Sequence, residues 1–279
     1  MTDRTDSEDL GIPPGRVIDG RADLGLPTRY VGARFHYLRS VGSTNAMLAE
    51  LARAGEPSGT VVLADEQTAG RGRIDRSWFS PEARGIWVSV LLRTNMTAGK
   101  LAPLSVAAAV AIAETLREQV GLDVRVKWPN DLLVDGKKLG GLLVESVQTA
   151  RGSVESASVG LGLNVGLRAD EIPAELASGA TSLSICLGRN VERLEVLGAV
   201  LLALEHCFDE FVRGGMESFR GRWRALSTLL GREVTVHSTQ GGRVGTVVDM
   251  APTGALVVET PTGEKLEVWH GDVTPKLND

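Results

Sequence analysis

Cysteine and histidine are scarce in this chain. Its 279 residues include two cysteines, Cys186 and Cys207, and four histidines. Each cysteine lies in an apolar stretch typical of a helix, which indicates buried free thiols and not the disulfide framework of a small secreted protein. The histidines are scattered and no Cys-x-x-Cys pair occurs, so the sequence lacks the ligand spacing of a zinc site.

Long apolar runs and a basic charge balance are also missing. No stretch of about 20 residues is apolar without a charge, which argues against a membrane span. Residues 1–9 are polar and acidic, unlike a secretory signal, so a cytoplasmic protein is expected. The net charge of -5 and the aromatic content of 4% argue against a protein that grips nucleic acid through phosphates and stacked bases.

Three familiar site motifs are absent from the sequence. There is no Gly-x-x-x-x-Gly-Lys-[Ser/Thr] loop to cradle phosphates and no Gly-x-Ser-x-Gly elbow to carry a serine nucleophile. Gly70-Arg71-Gly72 begins like a dinucleotide fingerprint, but it lacks the third glycine and the βαβ setting.

The chain divides into three parts by composition and by the periodicity of its apolar residues. Residues 1–27 are rich in Asp, Gly and Pro without periodicity, which predicts a flexible leader. Residues 28–229 carry regular patterns and are expected to form the catalytic domain. Residues 230–279 have turn signals about every ten residues, which predicts a small C-terminal β-barrel.

The middle part contains both strand and helix patterns. Strands are predicted at 34–41, 61–64, 86–92, 124–127, 132–134, 139–147 and 154–165. Helices are predicted at 43–55, 101–120, 194–211 and 216–228. Asp135-Gly136 is a two-residue hairpin signal. Such a run of adjacent strands predicts an α+β fold, with a mixed, largely antiparallel sheet backed by helices.

The most informative segment is the run Gly70-Arg71-Gly72-Arg73, followed by Arg76 and Trp78. Alternating glycine and arginine favours neither helix nor strand, so a loop is predicted. Guanidinium groups suit carboxylate and phosphate oxygens, and glycines let the backbone close around them. The segment therefore predicts a loop that orders on an anion, although a solvated basic loop or a peripheral RNA contact fits the same pattern.

Two further segments carry polar and small residues near predicted strand ends. The first is Lys127-Trp128-Pro129-Asn130-Asp131, continued by Lys138-Leu139-Gly140-Gly141. The second is the glycine-rich run 160–166. Glycines in a strand permit close approach of a ligand, but they also serve tight packing, and the sequence leaves both interpretations open. A site of arginine, lysine, glycine and amides without a nucleophile suits a reaction in which the protein neutralises phosphate charge.

In their order, these segments and Ser43-Thr44-Asn45 resemble the biotin–protein ligase family, also called biotin–[acetyl-CoA-carboxylase] ligases. The resemblance covers about residues 34–165, and the family's terminal SH3-like barrel fits the texture after residue 231. It implies the fold shared by class II synthetases and biotin–lipoate ligases. It further implies biotin and ATP as substrates, with Mg²⁺.

The resemblance also assigns roles to residues. The biotin-binding residues would be Ser43, Thr44, Asn45, Gln67, Gly70, Arg71, Gly72, Arg73, Lys138 and Gly141. The nucleotide-binding residues would be Arg73, Arg76, Trp78, Asn130 and Asn164. The catalytic residues would be Lys138, Arg73 and Asp131. No residue is assigned to Mg²⁺.

The implied reaction has two steps. Biotin and ATP give biotinyl-5′-adenylate, which then biotinylates one lysine of a biotin carboxyl carrier domain of an acyl-CoA or pyruvate carboxylase. A lipoate or octanoate ligase is the nearest alternative, but it would lack the paired Gly-Arg loop and the terminal barrel. A non-catalytic RNA-binding module is a remote one.

Many members of this family carry an N-terminal DNA-binding domain. Here the motifs begin after about 30 residues, too few for that domain, so the type without it is expected, with no DNA partner and no membrane partner. A monomer and a homodimer are both compatible with the sequence.

Overall fold

The computed structural model describes residues 14–74, 76–149, 153–238, 241–269, 271 and 273–276. Eight strands form its larger sheet: β1 (Val17–Ile18), β2 (Phe35–Val41), β3 (Val61–Gln67), β4 (Gly85–Arg93), β5 (Arg125–Lys127), β6 (Asp131–Val134), β7 (Lys137–Gln148) and β8 (Val154–Asn164). Their order across the sheet is β1-β2-β3-β4-β8-β7-β6-β5.

The larger sheet is mixed. β2 and β3 run parallel, and the other neighbouring pairs are antiparallel. The parallel pair is joined by a helix, because two parallel neighbours cannot be linked by a tight turn. The Asp135-Gly136 turn between β6 and β7 has positive φ at both residues, as a two-residue hairpin requires. The predicted α+β class with a largely antiparallel sheet is confirmed.

Seven helices accompany the sheets in the described residues: α1 (Gly20–Asp23), α2 (Thr44–Arg53), α3 (Ala98–Leu101), α4 (Leu104–Val120), α5 (Leu183–Leu187), α6 (Arg193–Gly214) and α7 (Glu217–Leu226). α4, α6 and α7 pack together over one face of the sheet, whereas α2 covers β3 and β4 from the other face.

Helix α4 is the centre of the core. Its alanines at 107, 108, 109 and 113 are fully buried, and such small side chains let α6 and the sheet lie close to it. The helix ends at Gly121, whose φ of 71° is the left-handed conformation that stops helices. The stretch Ala98–Val120 is long and apolar enough to cross a membrane, but 67% of its most apolar window is buried inside the fold. This burial identifies it as a core helix.

The predicted flexible leader is wrong for its second half. Val17 and Ile18 pair with His36 and Phe35 at the edge of the larger sheet. Leu26 is 5% exposed within the core, so burial of apolar surface offsets the entropy of ordering this segment. The sequence did not reveal this pairing because a two-residue strand has no measurable periodicity. Residues 1–13 of the predicted leader lie outside the described residues.

The C-terminal strands form a second, antiparallel sheet. They are β9 (Glu233–Ser238), β10 (Gly241–Met250), β11 (Leu256–Glu259), β12 (Lys265–Val268) and β13 (Val273–Pro275), in the order β12-β11-β10-β9-β13. The small β unit is confirmed, but closure of the barrel is not. In the described part of the chain, β12 and β13 lie at opposite edges, and strands of four and three residues leave few backbone groups with which to close it.

The second sheet is joined to the first unit by direct contacts. Trp128 Nε1 donates a buried hydrogen bond to the carbonyl oxygen of Gly254 at 3.0 Å. A Cβ on Gly254 would lie 2.3 Å from Pro103 Cβ, so the close approach requires glycine. Buried apolar residues of both units belong to one continuous core. The boundary expected at residue 230 stays a prediction.

Candidate active site

A cavity of about 480 Å³ lies where α2, the ends of β6, β7 and β8 and the Gly-Arg segment meet. Gly70 alone of the residues expected from the sequence is not in its lining. The expected residues that line it are Ser43, Thr44, Asn45, Gln67, Arg71, Gly72, Arg73, Arg76, Trp78, Asn130, Asp131, Lys138, Gly141 and Asn164. The fold thus brings together segments that lie up to about 120 residues apart in sequence.

One end of the cavity is a polar pocket at the N-terminus of α2. Ser43 occupies the N-cap position, and its side chain makes no capping hydrogen bond. The backbone N–H and the hydroxyl of Thr44 both donate to Gln67 Oε1, at 2.9 and 3.0 Å. Gln67 Nε2 donates to Ser80 Oγ at 3.0 Å, which fixes the orientation of the amide. These contacts hold donors and acceptors in place for a polar ligand group.

Ser89 contacts two residues of this pocket from the adjacent strand β4. It is fully buried on β4, and its Oγ lies 2.8 Å from Thr44 Oγ1 and 2.7 Å from Asn45 Oδ1. Sequence analysis missed Ser89 because it reads as one residue of an apolar strand. The available signal was that it is the single small polar residue among the buried positions 85–92.

The Gly-Arg segment folds back on itself as a tight hairpin, which we call the arginine hairpin and define by its described residues 70–74 and 76–78. Gly72 N–H donates to the Arg76 carbonyl at 2.6 Å, and Trp78 N–H donates to the Gly70 carbonyl at 2.9 Å. Gly70 has a packing role here, since a Cβ on it would lie 2.5 Å from the Trp78 carbonyl oxygen. The expected loop is therefore a turn with its own backbone hydrogen bonds, set at the rim of the cavity.

Two arginines of the hairpin reach across to other elements. Arg71 Nη2 donates to Glu145 Oε2 on β7 at 3.0 Å. Arg73 Nη1 donates to Asn130 Oδ1 at 3.4 Å, and Asn130 Nδ2 in turn donates to the Leu142 carbonyl. These bonds tie the hairpin to β7 through Glu145 and to the Trp128–Asp131 corner through Asn130.

Lys138 and Asp131 form an ion pair beside the hairpin. Lys138 Nζ lies 2.8 Å from Asp131 Oδ1 and 5.0 Å from the centre of the Trp78 ring. Gly141 lies opposite Asp131 in the sheet, and a Cβ there would come within 3.4 Å of both Asp131 Oδ1 and Lys138 Cε. The ammonium group is thus held by a carboxylate on one side and an aromatic face on the other.

The glycines of β8 make room for neighbouring side chains, while close approach of a ligand to them stays a prediction. A Cβ on Gly162 would lie 2.3 Å from Trp78 Nε1, and one on Gly160 would lie 2.5 Å from Asn45 Oδ1. Both glycines also line the cavity. Their missing side chains make room for the site's own residues.

Two walls of the cavity were not foreseen from the sequence. One is the segment 167–180, which is tied to β7 because Lys138 N–H donates to the Gly179 carbonyl at 2.7 Å. Asn164 Nδ2 donates to the Thr181 carbonyl at 2.9 Å, just beyond that segment. The other wall comes from the second sheet through Val273 and Thr274. Neither segment carries a motif, so only the fold places them here.

The charge of the lining favours an anionic ligand. It contains five cationic residues, Arg71, Arg73, Arg76, Lys127 and Lys138, against the carboxylates of Asp131 and Glu175. Among the described residues the lining holds no cysteine and no histidine, and no group of three potential metal-ligating side chains occurs. The arrangement joins a neutral polar pocket to a cationic region, as expected for an enzyme that activates a carboxylate by phosphate chemistry.

Comparison with known proteins agrees with this class. The model of the biotin/lipoate A/B protein ligase family matches residues 37–164. The chain is 34% identical to the bifunctional ligase/repressor BirA of Bacillus subtilis over 260 residues, which cover 93% of this chain and 79% of the relative. It is 32% identical to the biotin–[acetyl-CoA-carboxylase] ligase of Paracoccus denitrificans, with 84% and 99% covered.

A solved structure supports the same assignment. The biotin protein ligase from Aquifex aeolicus in complex with biotin and ATP superposes with a TM-score of 0.75 at 30% identity, covering 88% of this chain and 99% of that one. The chain therefore belongs to the biotin/lipoate A/B protein ligase family, and within it to the biotin–protein ligases.

Proposed function

We propose that this protein activates biotin with ATP and transfers the biotinyl group to a lysine of a carrier domain. The observation that carries the proposal is the continuity of the cavity. A neutral polar pocket built on Thr44 and Gln67 opens directly onto the cations Arg71, Arg73 and Lys138. Biotin has a neutral ureido head and an anionic carboxylate, so its two ends match the two regions.

In the first step, an oxygen of the biotin carboxylate attacks the α-phosphorus of ATP. The new O–P bond forms as the bond to the bridging oxygen of pyrophosphate breaks, giving biotinyl-5′-adenylate and pyrophosphate. Negative charge collects on the phosphorus oxygens, and Arg73 and Lys138 are proposed to offset it from fixed positions. Trp78, Asn130 and Asn164 are proposed to position the nucleotide.

In the second step, the amine of the acceptor lysine attacks the acyl carbon of the adenylate. An amide bond forms and AMP leaves with the electrons of the acyl–oxygen bond. The amine must first lose a proton from a reference pKa of about 10.4. Asp131 is proposed to orient this amine or accept its proton, because it is the carboxylate that lies against Lys138 in the cavity.

The donor set fits Mg²⁺ that arrives with ATP. Mg²⁺ is commonly held by one or two carboxylates together with substrate phosphates and water. The cavity offers Asp131 and Glu175 for that purpose, and the described residues form no dedicated cage of three acidic or histidine ligands. Bound Mg²⁺ would supply charge neutralisation at the phosphates.

The carrier is proposed to be the biotin domain of a carboxylase. The relative from Paracoccus denitrificans is named for acetyl-CoA carboxylase, which supports an acyl-CoA carboxylase as the partner. A substrate such as ATP also supports a cytoplasmic site of action. The absence of DNA binding and the choice between monomer and homodimer stay predictions, which gel shifts and sedimentation would test.

The deciding experiment supplies the purified protein with Mg-ATP and either biotin or lipoate. We expect biotin-dependent release of pyrophosphate, and mass spectrometry should detect biotinyl-5′-adenylate. Turnover with lipoate or octanoate but not with biotin would keep the fold and replace the substrate. A folded protein that releases no pyrophosphate with any of these acids would contradict the proposal.

A further inference from the structure

The carboxylate of Glu145 joins two walls of the cavity. Its Oε2 atom accepts a hydrogen bond from Asn45 Nδ2 at 2.8 Å and another from Arg71 Nη2 at 3.0 Å. Asn45 belongs to α2 at the polar pocket, whereas Arg71 belongs to the arginine hairpin. One oxygen atom on β7 therefore links the pocket to the hairpin, although Glu145 is not among the residues that line the cavity.

The amide of Asn45 is itself fixed, so the link is directional. Asn45 is 4% exposed, its Oδ1 lies 2.7 Å from Ser89 Oγ, and its Nδ2 also donates to the Leu143 carbonyl at 3.2 Å. Gly160 lacks the Cβ that would displace the amide oxygen. These contacts leave Nδ2 with one orientation, toward Glu145.

The fixed amide of Asn45 increases the stabilisation that the ion pair between Glu145 and Arg71 can contribute. The side chains of Arg71 and Glu145 are 49% and 38% exposed, and an ion pair that exposed contributes little when both partners are mobile. Here the buried amide of Asn45 holds the carboxylate in place beforehand. The pair therefore forms without the entropic cost of ordering Glu145, and only Arg71 has still to be ordered.

We propose that Glu145 is a positioning residue that sets Arg71, and with it the arginine hairpin, over the polar pocket. Its role is to couple the two ends of the ligand site through Asn45. The proposal rests on the proposed function, in which Arg71 belongs to the cationic region that matches the biotin carboxylate, and it adds a residue that does not itself line the cavity.

The first test compares Glu145→Gln, Arg71→Ala and the double variant by pyrophosphate release at varied biotin. Glu145→Gln keeps an acceptor for Asn45 but loses its charge. We expect it to raise the KM for biotin by about five-fold and to change kcat by less than about two-fold, as for a part-exposed charged pair. The double variant should match Arg71→Ala alone, because Glu145 acts through Arg71.

The matched control is Glu155→Gln on the adjacent strand. Glu155 is 56% exposed, faces Arg93 at 4.0 Å and does not line the cavity. It should leave the KM for biotin unchanged. Multiplying effects of Glu145→Gln and Arg71→Ala in the double variant, or an equal effect from Glu155→Gln, would overturn the proposal.

A second measurement is independent of ligase activity. Hydrogen–deuterium exchange of backbone amides in residues 70–78 should be faster in Glu145→Gln than in wild type or Glu155→Gln. Unchanged exchange in the hairpin would overturn the positioning role even in an active enzyme. Faster exchange in Glu145→Gln, combined with a wild-type protein that shows no turnover of biotin, would instead support the coupling and contradict the proposed function.

Discussion

Lys138 is held in the site by a carboxylate and by an aromatic ring. Its ammonium group is paired with Asp131 at 2.8 Å and lies over the ring of Trp78. An aliphatic replacement would leave Asp131 without its partner and would remove a positive charge from the place where phosphate charge is proposed to develop. The neighbouring Lys137 is exposed at the start of β7, so it offers a matched comparison for Lys138.

We expect Lys138→Ala to lower kcat for pyrophosphate release by about 10²- to 10³-fold, the usual effect of deleting one charge-stabilising group. The free energy of unfolding should change far less, because the side chain is part-exposed. Single-turnover kinetics and urea unfolding provide the two measurements. Lys137→Ala should resemble wild type in both, and normal pyrophosphate release by Lys138→Ala would remove this residue from the mechanism.

Gly162 offers a test of the nucleotide side. A methyl group at this position would overlap the indole of Trp78, whose Nε1 lies 2.3 Å from the Cβ position. We expect Gly162→Ala to displace the ring and raise the KM for ATP by about ten-fold, equivalent to roughly 1.4 kcal/mol of lost binding.

Gly166→Ala is the matched control for that change. Gly166 lies two residues beyond the same strand, and a Cβ there meets nothing within 4 Å. Its KM for ATP should stay at the wild-type value in the same assay. An unaltered KM in Gly162→Ala would mean that Trp78 has no part in holding the nucleotide.

At this scale the sequence indicated the residues that carry charge but not those that hold them. Arg71, Arg73 and Lys138 stand in recognisable motifs, and the fold gathers them as expected. Ser89 and Glu145 have no motif, because a buried serine and a strand glutamate look ordinary until their partners are known. Their partners lie 44 and 74 residues away from them, a relation that local patterns do not encode.

Among the elements, α6 holds the N-terminal segment through one buried carboxylate. Glu205 is fully buried and accepts hydrogen bonds from the backbone N–H groups of Tyr30 at 2.8 Å and of Arg29 and Val31 at 3.0 Å. Burial by itself raises the pKa of Glu205, but hydrogen bonds from Tyr30, Val31 and Arg29 outweigh it and leave the pKa lowered.

A lowered pKa makes this contact pH-dependent. The carboxylate binds protons less readily in the folded protein than in the unfolded chain, so its stabilisation is complete above about pH 4.3 and is lost as the pH falls further. We expect Glu205→Gln to reduce the free energy of unfolding by about 1–3 kcal/mol at pH 7. The difference from wild type should shrink below about pH 4.

Urea unfolding across this pH range measures the effect of Glu205→Gln. Glu195→Gln, an exposed position on the same helix, should stay within about 0.5 kcal/mol of wild type. A constant difference between Glu205→Gln and wild type from pH 7 to pH 3 would contradict the assignment of the lowered pKa to this contact.

The elements themselves were largely predictable, whereas their pairing was not. Long periodic helices such as α4 and α6 fall where the apolar periodicity indicates them, and the strands β7 and β8 fall where turn signals bound short runs of apolar and small residues. The parallel pairing of β2 with β3 and the insertion of β8 beside β4 depend on long-range packing. The five residues of α5 are too few for a helical period to show.

In the molecule as a whole, Asp249 of β10 connects the second sheet to helix α7. It accepts hydrogen bonds from Arg220 and Arg224 of α7. Burial raises the pKa of Asp249, but the hydrogen bonds from Arg224 and Arg220 dominate and hold the pKa well below its usual range. The carboxylate is thus ionised wherever the protein is folded at neutral pH.

We expect Asp249→Asn to loosen the second sheet selectively. Hydrogen–deuterium exchange should increase in β9–β13 and stay unchanged in β4 and β8, because losing the charge weakens both arginine contacts at once. Glu264→Gln is the comparison, since the pair of Glu264 with Arg243 is more than half exposed on both sides. Equal protection in both variants would show that Trp128 and Gly254 suffice to hold the sheet.

The outermost strands of the larger sheet are very short. β1 has two residues and β5 has three, and β5 is further covered where Val126 bridges to Ser227. A sheet edge is a template on which another chain can add a strand, and the hazard grows with the number of unpaired amide groups in line. In the part of the chain that the structure describes, both edge strands of the larger sheet therefore carry few unpaired amide groups, which disfavours the addition of a strand from a neighbouring molecule.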